Sequence, residues 1–230
     1  MNSTLVTIAL IVAAVLACLV WLFRRCLAAS RTDWGSPWLN GLDGLNLLFC
    51  TRYHRLPLVD LPLPKEGPAV VVANHVSGLD PLLMIACSRR PLHFLIAREQ
   101  YQRFGLQWLF RAAGCIPVDR ERSPEKALRK AFAALREGKV VALFPHGKIH
   151  LDSEPPRRTK AGASRLAQIT QSPVVPVHIS GVSREGHVIA SVIFRARANV
   201  ECLPVIEVKD KTAEVVYEEI DEAVNSVGVD

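Results

Sequence analysis

No charged side chain occurs between Met1 and Phe23, and no two of the six cysteines form a C-x-x-C pair. The second absence removes the usual sequence basis for a structural zinc site or a redox couple. Cys18, Cys26, Cys50, Cys87, Cys115 and Cys202 are scattered and do not read as a disulfide framework, so they are expected to be reduced packing residues. Other signatures are missing too. Gly138-Lys139 has neither the upstream glycine nor the following Ser or Thr of a phosphate-binding loop. Gly181-Val182-Ser183-Arg184-Glu185-Gly186 misses the spacing of a nucleophile elbow by one residue. His146 and His150 stand four apart, but Gly147 occupies the place where a zinc protease carries glutamate, so no metal is expected there. No nucleic-acid module accompanies the arginines, and the chain has no internal repeat or low-complexity tract.

The missing charge at the start leaves an apolar run over residues 4–23. At ~1.5 Å per helical residue it is long enough to cross a hydrocarbon core of about 30 Å. A cleaved signal peptide is the main alternative, but that reading wants a basic start, and Met1-Asn2-Ser3 carries no side-chain cation. The segment ending at Cys18 faintly resembles a lipoprotein cleavage site, yet the apolar run continues past it. Arg24, Arg25 and Arg31 follow the run directly. Positive charge is retained on the cytoplasmic side, so a single-pass anchor in the inner (plasma) membrane with the rest of the chain in the cytoplasm is expected.

What is present is one domain's worth of core: 230 residues, half of them hydrophobic. The formal charge is +6, concentrated where residues 89–122 hold seven arginines against Glu99, Asp119 and Glu121. Such a surface suits anionic headgroups, an acidic carrier or nucleic acid, although solvated helix faces give the same count.

Residues 36–49 place Trp38, Leu39, Leu42, Leu45, Leu48 and Phe49 at helical intervals. This helix either lies in the membrane interface, with Trp34 and Trp38 at headgroup depth, or covers the domain core. Residues 56–68 contain four prolines and read as an extended linker. From residue 69 short apolar runs alternate with helical segments. Strands are expected at 69–73, 92–97, 140–144, 174–179, 188–196 and 199–206, and helices at 81–90, 101–113, 124–137, 160–170 and 212–224. The expected fold class is α/β: a largely parallel central sheet flanked by helices, preceded by an N-terminal transmembrane helix and an interfacial amphipathic helix. The boundaries are 1–25 for the anchor, 26–68 for the interfacial helix and linker, and 69–230 for the main domain.

The chemistry concentrates after the first strand. Asn74-His75-Val76-Ser77-Gly78-Leu79-Asp80-Pro81 is a short polar turn leading into a helix, at the mouth of the sheet where α/β proteins commonly build sites. With the turn folded back, Asp80 can reach one ring nitrogen of His75, fixing its tautomer and stabilising the imidazolium formed when His75 removes a hydroxyl proton. The same residues also suit a helix N-cap and a structural histidine.

Here the chain resembles the glycerolipid acyltransferase family, whose type member is lysophosphatidic acid acyltransferase, over residues 68–206. Asn74-His75, four residues, then Asp80 matches its catalytic block, which implies His75 as general base and Asp80 as its orienting partner. Gly114-Cys115-Ile116-Pro117-Val118-Asp119-Arg120 matches a second block, whose arginine binds the acceptor's phosphate. Phe144-Pro145-His146-Gly147 falls at the third block, and Val174-Val175-Pro176-Val177 matches the fourth. Lys160-Ala161-Gly162-Ala163 resembles the basic-glycine helix that follows the third block.

The third block departs from the family's Phe-Pro-Glu-Gly-Thr-Arg, because His146, Lys148 and Ile149 stand at the glutamate, threonine and arginine positions. Losing that arginine removes a bidentate contact to phosphate, which Lys148 can replace only as a point cation, with His150 contributing when protonated. The resemblance implies a substrate site drawing on Asn74, Arg120, His146, Gly147, Lys148 and Pro176. It implies transfer of a fatty acyl group from acyl-CoA or acyl carrier protein to the hydroxyl of a lysolipid at a membrane, without cofactor or nucleic acid. The acceptor is expected to be lysophosphatidic acid or a related anionic lysolipid. A lysolipid without phosphomonoester, an inactive lipid-binding member of the fold and a thioester hydrolase are the alternatives.

Overall fold

The computed structural model describes residues 3–119, 124–151, 153–155 and 157–225. Two helices open the chain, α1 (Ser3–Ala29) and α2 (Pro37–Leu48), and α2 runs on into a π-helical turn at Phe49–Tyr53. The α/β part follows as β1 (Ala69–Ala73), α3 (Asp80–Cys87), β2 (Leu92–Ala97), α4 (Arg98–Tyr101), α5 (Gln107–Ala112) and β3 (Ile116–Val118). It continues as α6 (Pro124–Arg136), β4 (Val140–Leu143), α7 (Gly162–Thr170), β5 (Val174–Ser180), α8 (Ala190–Ile193), β6 (Asn199–Cys202) and α9 (Ala213–Asn225). The strands form one sheet in the order β3-β2-β4-β1-β5-β6, parallel except for β6, which runs antiparallel to β5.

A parallel sheet has to be covered on both faces, and β1 shows why its five residues are all apolar: every one is fully buried. Strand side chains alternate between faces. Val71 and Ala73 join a cluster with Leu83 and Met84 of α3, to which Leu47, Cys50, Leu56 and Leu61 of the N-terminal segment also belong. Val70 and Val72 face the other way, onto α6, α7 and α9. Those helices present Ala127, Ala131 and Leu135, then Ala163, Leu166 and Ala167, then Val216, Ile220 and Val224, each set on one helical face.

Several expected elements differ in the structure. Residues 188–196 were expected as a strand, but the β-branched run Val188-Ile189 leads into α8, and Ser191 Oγ bonds back to the carbonyl of His187 at 2.8 Å. The expected helix 101–113 is two helices, because Gly105 takes a left-handed φ of 79° between them. Strand β3 had no counterpart in the reading of the chain: it is three residues long and carries Pro117, which a sheet accepts at its edge, where β3 lies. The helix expected at 81–90 ends at Cys87, since Ser88 is extended and its hydroxyl bonds Arg90 O at 2.5 Å.

Among the described residues α1 is the helix long and apolar enough to cross a membrane, and its large side chains from Leu5 to Phe23 are exposed. It is not isolated. Gly41 and Gly44 of α2 sit against the Phe23 ring and the Cys26 carbonyl. Buried Asp43 holds the end of α1, accepting from Ser30 Oγ at 2.9 Å, the Arg31 N–H at 3.2 Å and Trp34 Nε1 at 3.2 Å. The helix pair is fastened to the sheet domain by Thr32 Oγ1 on Ser88 O at 3.0 Å and by Asp60, which pairs with both Arg31 and Arg89. Helix α2 covers the core, as one of the two expectations had it: Leu47 packs inward while Trp38 and Leu45 point outward.

Gly44→Ala would drive a methyl into the Cys26 carbonyl, so it should destabilise the chain by about 1–3 kcal/mol, the scale of overpacking a tight contact. Gly162→Ala is the control, because there the new Cβ meets only Leu128 at 3.6 Å and should be neutral or slightly stabilising. Thermal unfolding of the two variants in detergent compares them.

Candidate active site

His75 stands two residues past the end of β1 and Phe144 follows β4 directly, and these strands are neighbours, so both residues stand at the carboxyl edge of the sheet. The turn over residues 76–79 brings the chain back, and Asp80 opens α3 fully buried. Its Oδ2 accepts from the Val76 and Ser77 N–H groups at 2.8 Å each and lies 2.8 Å from His75 Nδ1. Its Oδ1 accepts from Ser77 Oγ at 2.5 Å. A carboxylate only accepts, so the histidine nitrogen facing it must carry the hydrogen, which leaves the lone pair on Nε2. The His75 side chain is 20% exposed, and among the described residues Nε2 has no partner and is not sealed from solvent. The ring also lies on Phe144, with centroids 4.0 Å apart and planes 16° from parallel. It is thus held at one edge and one face, with the working edge open.

The loop is braced from below. Asn74 donates to Ile179 O at 2.9 Å and accepts from Ile179 N–H at 2.8 Å, tying the end of β1 to β5. The Asn74 amide, expected in the substrate site, is buried and turned onto β5. Gly78 packs against the backbone of Val188 with no room for a Cβ, its N–H bonds His187 O at 3.2 Å, and Gly186 N–H bonds Val76 O at 2.8 Å.

The loop after β4 closes the other side. Gly147 N–H returns to Phe144 O at 2.9 Å, which Gly147 permits by taking a φ of 76°, and His150 N–H bonds His75 O at 2.8 Å. Lys148 is exposed. His146 is not: its Nε2 lies 3.0 Å from Arg157 O and 3.2 Å from Asn225 Oδ1 of α9. His146, expected in the substrate site, thus packs between the β4 loop and α9. Pro176 is buried within β5, and Leu203 N–H bonds its carbonyl at 3.0 Å. Its ring nitrogen thus faces the β6 side where the ladder ends, so it too shapes the sheet and meets no open surface. Arg120 lies outside the described residues, beyond the end of β3.

The family model described as "Acyltransferase" matches residues 60–180, just over half of the chain. The chain belongs to the acyltransferase family. It is 25% identical to a 1-acyl-sn-glycerol-3-phosphate acyltransferase of Bacillus subtilis (strain 168), over 53% of this chain and 60% of that protein. It is 33% identical to a probable 1-acyl-sn-glycerol-3-phosphate acyltransferase of Mycoplasma genitalium, over 53% of this chain and 47% of that one. An N-acylphosphatidylethanolamine synthase of Arabidopsis thaliana is 29% identical over 53% of this chain and 45% of its own length. The chain thus spans about half the length of these curated relatives. In fold it is similar to PlsC from Thermotoga maritima, the 1-acyl-sn-glycerophosphate (LPA) acyltransferase, with a TM-score of 0.64 and 20% identity, over 86% of this chain and 84% of that one.

Three parts of the site have no role assigned to them by the sequence alone. Ser77 stands three residues before Asp80, which is the spacing of a capping box, and its signal was available. Phe144 lay in a recognised block, but nothing in one dimension says that its ring meets His75. Lys160 packs its side chain beside Gly147, where an added Cβ would come within 2.9 Å of Nζ, so a second cation joins Lys148 on this loop.

Burial lowers the pKa of His146 below the ordinary 6.5, and burial likewise lowers His54 and His93. Each takes up a proton less readily in the fold than in the unfolded chain, so the unfolded state binds more protons and stability falls as pH drops below about 6.5. Denaturant unfolding at pH about 7.5 and about 5.5 should show this loss. His146→Gln should flatten the slope by at most about 1.4 kcal/mol per pH unit.

Proposed function

We infer that the chain is an O-acyltransferase that moves a fatty acyl group from a thioester donor to the hydroxyl of a lysolipid. The observation that carries this reading is the His75–Asp80 pair, with Nδ1 held by a buried carboxylate and Nε2 open. The acceptor hydroxyl gives its proton to Nε2 as its oxygen attacks the thioester carbonyl. Collapse of the tetrahedral intermediate expels the thiolate, which takes the proton from the imidazolium. Asp80 stabilises that imidazolium and keeps the ring in register, and Phe144 supports its face. No protein nucleophile and no cofactor enter.

The donor is acyl-CoA or acyl carrier protein, both acidic and suited to the arginine-rich stretch of residues 89–122. Lysophosphatidic acid or a related anionic lysolipid is the proposed acceptor, with Arg120, Lys148 and the neighbouring Lys160 supplying positive charge, as the names of two relatives suggest. A lysolipid lacking the phosphomonoester is the second reading, favoured by Ile149 at the family's arginine position and by the aminolipid named for the plant relative. Helix α1 anchors the enzyme in the inner membrane, and Arg24, Arg25 and Arg31 keep the catalytic domain on the cytoplasmic side. Two lipid-like reactants then meet on one surface, which supplies part of the rate.

Labelled acyl-CoA or acyl carrier protein incubated with a panel of lysolipids, with products followed by mass, tests the reading. His75→Ala should remain folded and lose ~10²-fold or more in transfer, the scale of general-base catalysis. Transfer undiminished in that variant rejects the base, and donor loss that ignores acceptor indicates a thioester hydrolase. Lipid retention with no transfer in the parent chain indicates a binding protein.

Lys148→Ala should raise the KM for a phosphate-bearing acceptor by about tenfold, the scale of one charge-assisted contact, with the donor KM little changed. Equal effects on both substrates, or none, reject a headgroup role for Lys148.

A further inference from the structure

Residues 188–196 were expected as a strand, and the structure makes of the segment between β5 and β6 a loop around α8 whose outer side chains have no part in the catalytic arrangement. Its side chains are unusual for a soluble surface. Ile189, Ile193 and Phe194 are 56%, 60% and 49% exposed. Directly after them, Arg195 and Arg197 line a hollow of about 250 Å³ together with Arg55 and Ser183. Arg195 Nε reaches Tyr53 O at 3.1 Å, but among the described residues no carboxylate pairs with Arg55, Arg195 or Arg197. Three arginines line one hollow with no carboxylate partner among the described residues, so an outside anion suits it. Arg55 is held there in a left-handed backbone, with a φ of 54°.

We propose that this loop docks on the membrane surface, its apolar side chains entering the headgroup boundary and Arg55, Arg195 and Arg197 receiving the phosphate of an anionic phospholipid. An apolar tip beside unpaired cations is the composition of an interfacial segment. The loop is also rigidly joined to the helix pair. Tyr53 Oη bonds Ile193 O at 2.6 Å, His54 Nε2 meets Val192 O at 3.2 Å, and Ala198 N–H bonds His54 O at 3.0 Å. Arg184 lies 4.9 Å over the Phe194 ring and closes the loop on itself. Because Val188 packs on Gly78, two residues before Asp80, docking here sets the distance of His75 from the lipid surface. The inference rests on α1 holding the chain at a bilayer, which co-purification with lipid discs reads separately, and it does not require acyl transfer.

Hydrogen–deuterium exchange of the full chain in discs of phosphatidylcholine alone, or mixed with phosphatidylglycerol, tests it. In anionic discs the backbone of residues 184–198 should exchange at least about fivefold more slowly, the fold-change of ~1 kcal/mol that a single basic residue near such a surface contributes. Arg55→Glu with Arg197→Glu should abolish that difference while the chain stays in the discs. Equal exchange in the two kinds of disc overturns the proposal. So does equal protection by inorganic phosphate or CoA added to the chain in neutral detergent, which would make the hollow a site for a soluble phosphate ester.

Discussion

The Asp80 carboxylate is the constraint on which the site depends. It is fully buried, and a buried charge is tolerable only if its lone pairs are met. Two backbone N–H groups, a hydroxyl and a ring nitrogen meet them, all drawn from the six residues that end at Asp80 itself. That requirement leaves the turn little choice of path. The chain must curl so that Val76, Ser77 and His75 all point at one carboxylate, and a tight curl brings Gly78 against a neighbouring backbone where no side chain fits. The histidine is oriented as a consequence of satisfying the aspartate, and the helix that follows starts where it does for the same reason.

Much of this was legible before any coordinates. Strands β1, β4 and β5 are apolar runs because both of their faces are covered, and such runs survive in one dimension. The pairing of His75 with Asp80 follows from the spacing and the turn residues between them. What was hidden involves contacts between distant segments. The Phe144 ring under His75, the brace from Asn74 to Ile179 and the Gly78–Val188 packing join residues 69, 105 and 110 positions apart. Strand β3 was hidden for a local reason, since three residues with a central proline carry no pattern. Helix α8 was hidden because Val188, Ile189, Val192 and Ile193 favour strands by type, while in the fold Val192 packs on the core and Ile189 and Ile193 are exposed.

The helix pair and the sheet are one packing unit. The α3 face of the sheet is closed by Leu47, Cys50, Leu56 and Leu61, so the proline-rich connection is part of the core and does more than span a gap. Asp60 strengthens the join: the Arg89 hydrogen bond, with Arg31 adding to it, holds its carboxyl below the usual range. Exposed ion pairs of this kind contribute little to stability, about 1 kcal/mol or less. Their use here is directional, because two arginines from different segments converge on one carboxylate. The helix pair is thereby tied to the amino end of the sheet, at the start of β2 and opposite the edge where His75 stands.

The altered third block shows how one substitution redirects its neighbours. A glutamate at position 146 could not sit where His146 does, because its carboxylate would face the Arg157 carbonyl and the Asn225 amide oxygen, two acceptors. A neutral imidazole donating from Nε2 fits, and burial keeps it neutral. With that ring turned toward α9, the cations this loop itself offers a headgroup are Lys148 and the Lys160 ammonium beside Gly147. Both are flexible point charges, where an arginine would offer a planar fork. A fork selects a phosphate by geometry, whereas two ammonium groups select negative charge at a distance. The proposed acceptor preference should accordingly be broader in headgroup shape than a two-arginine site allows, and that breadth follows from a loop rebuilt around one buried histidine.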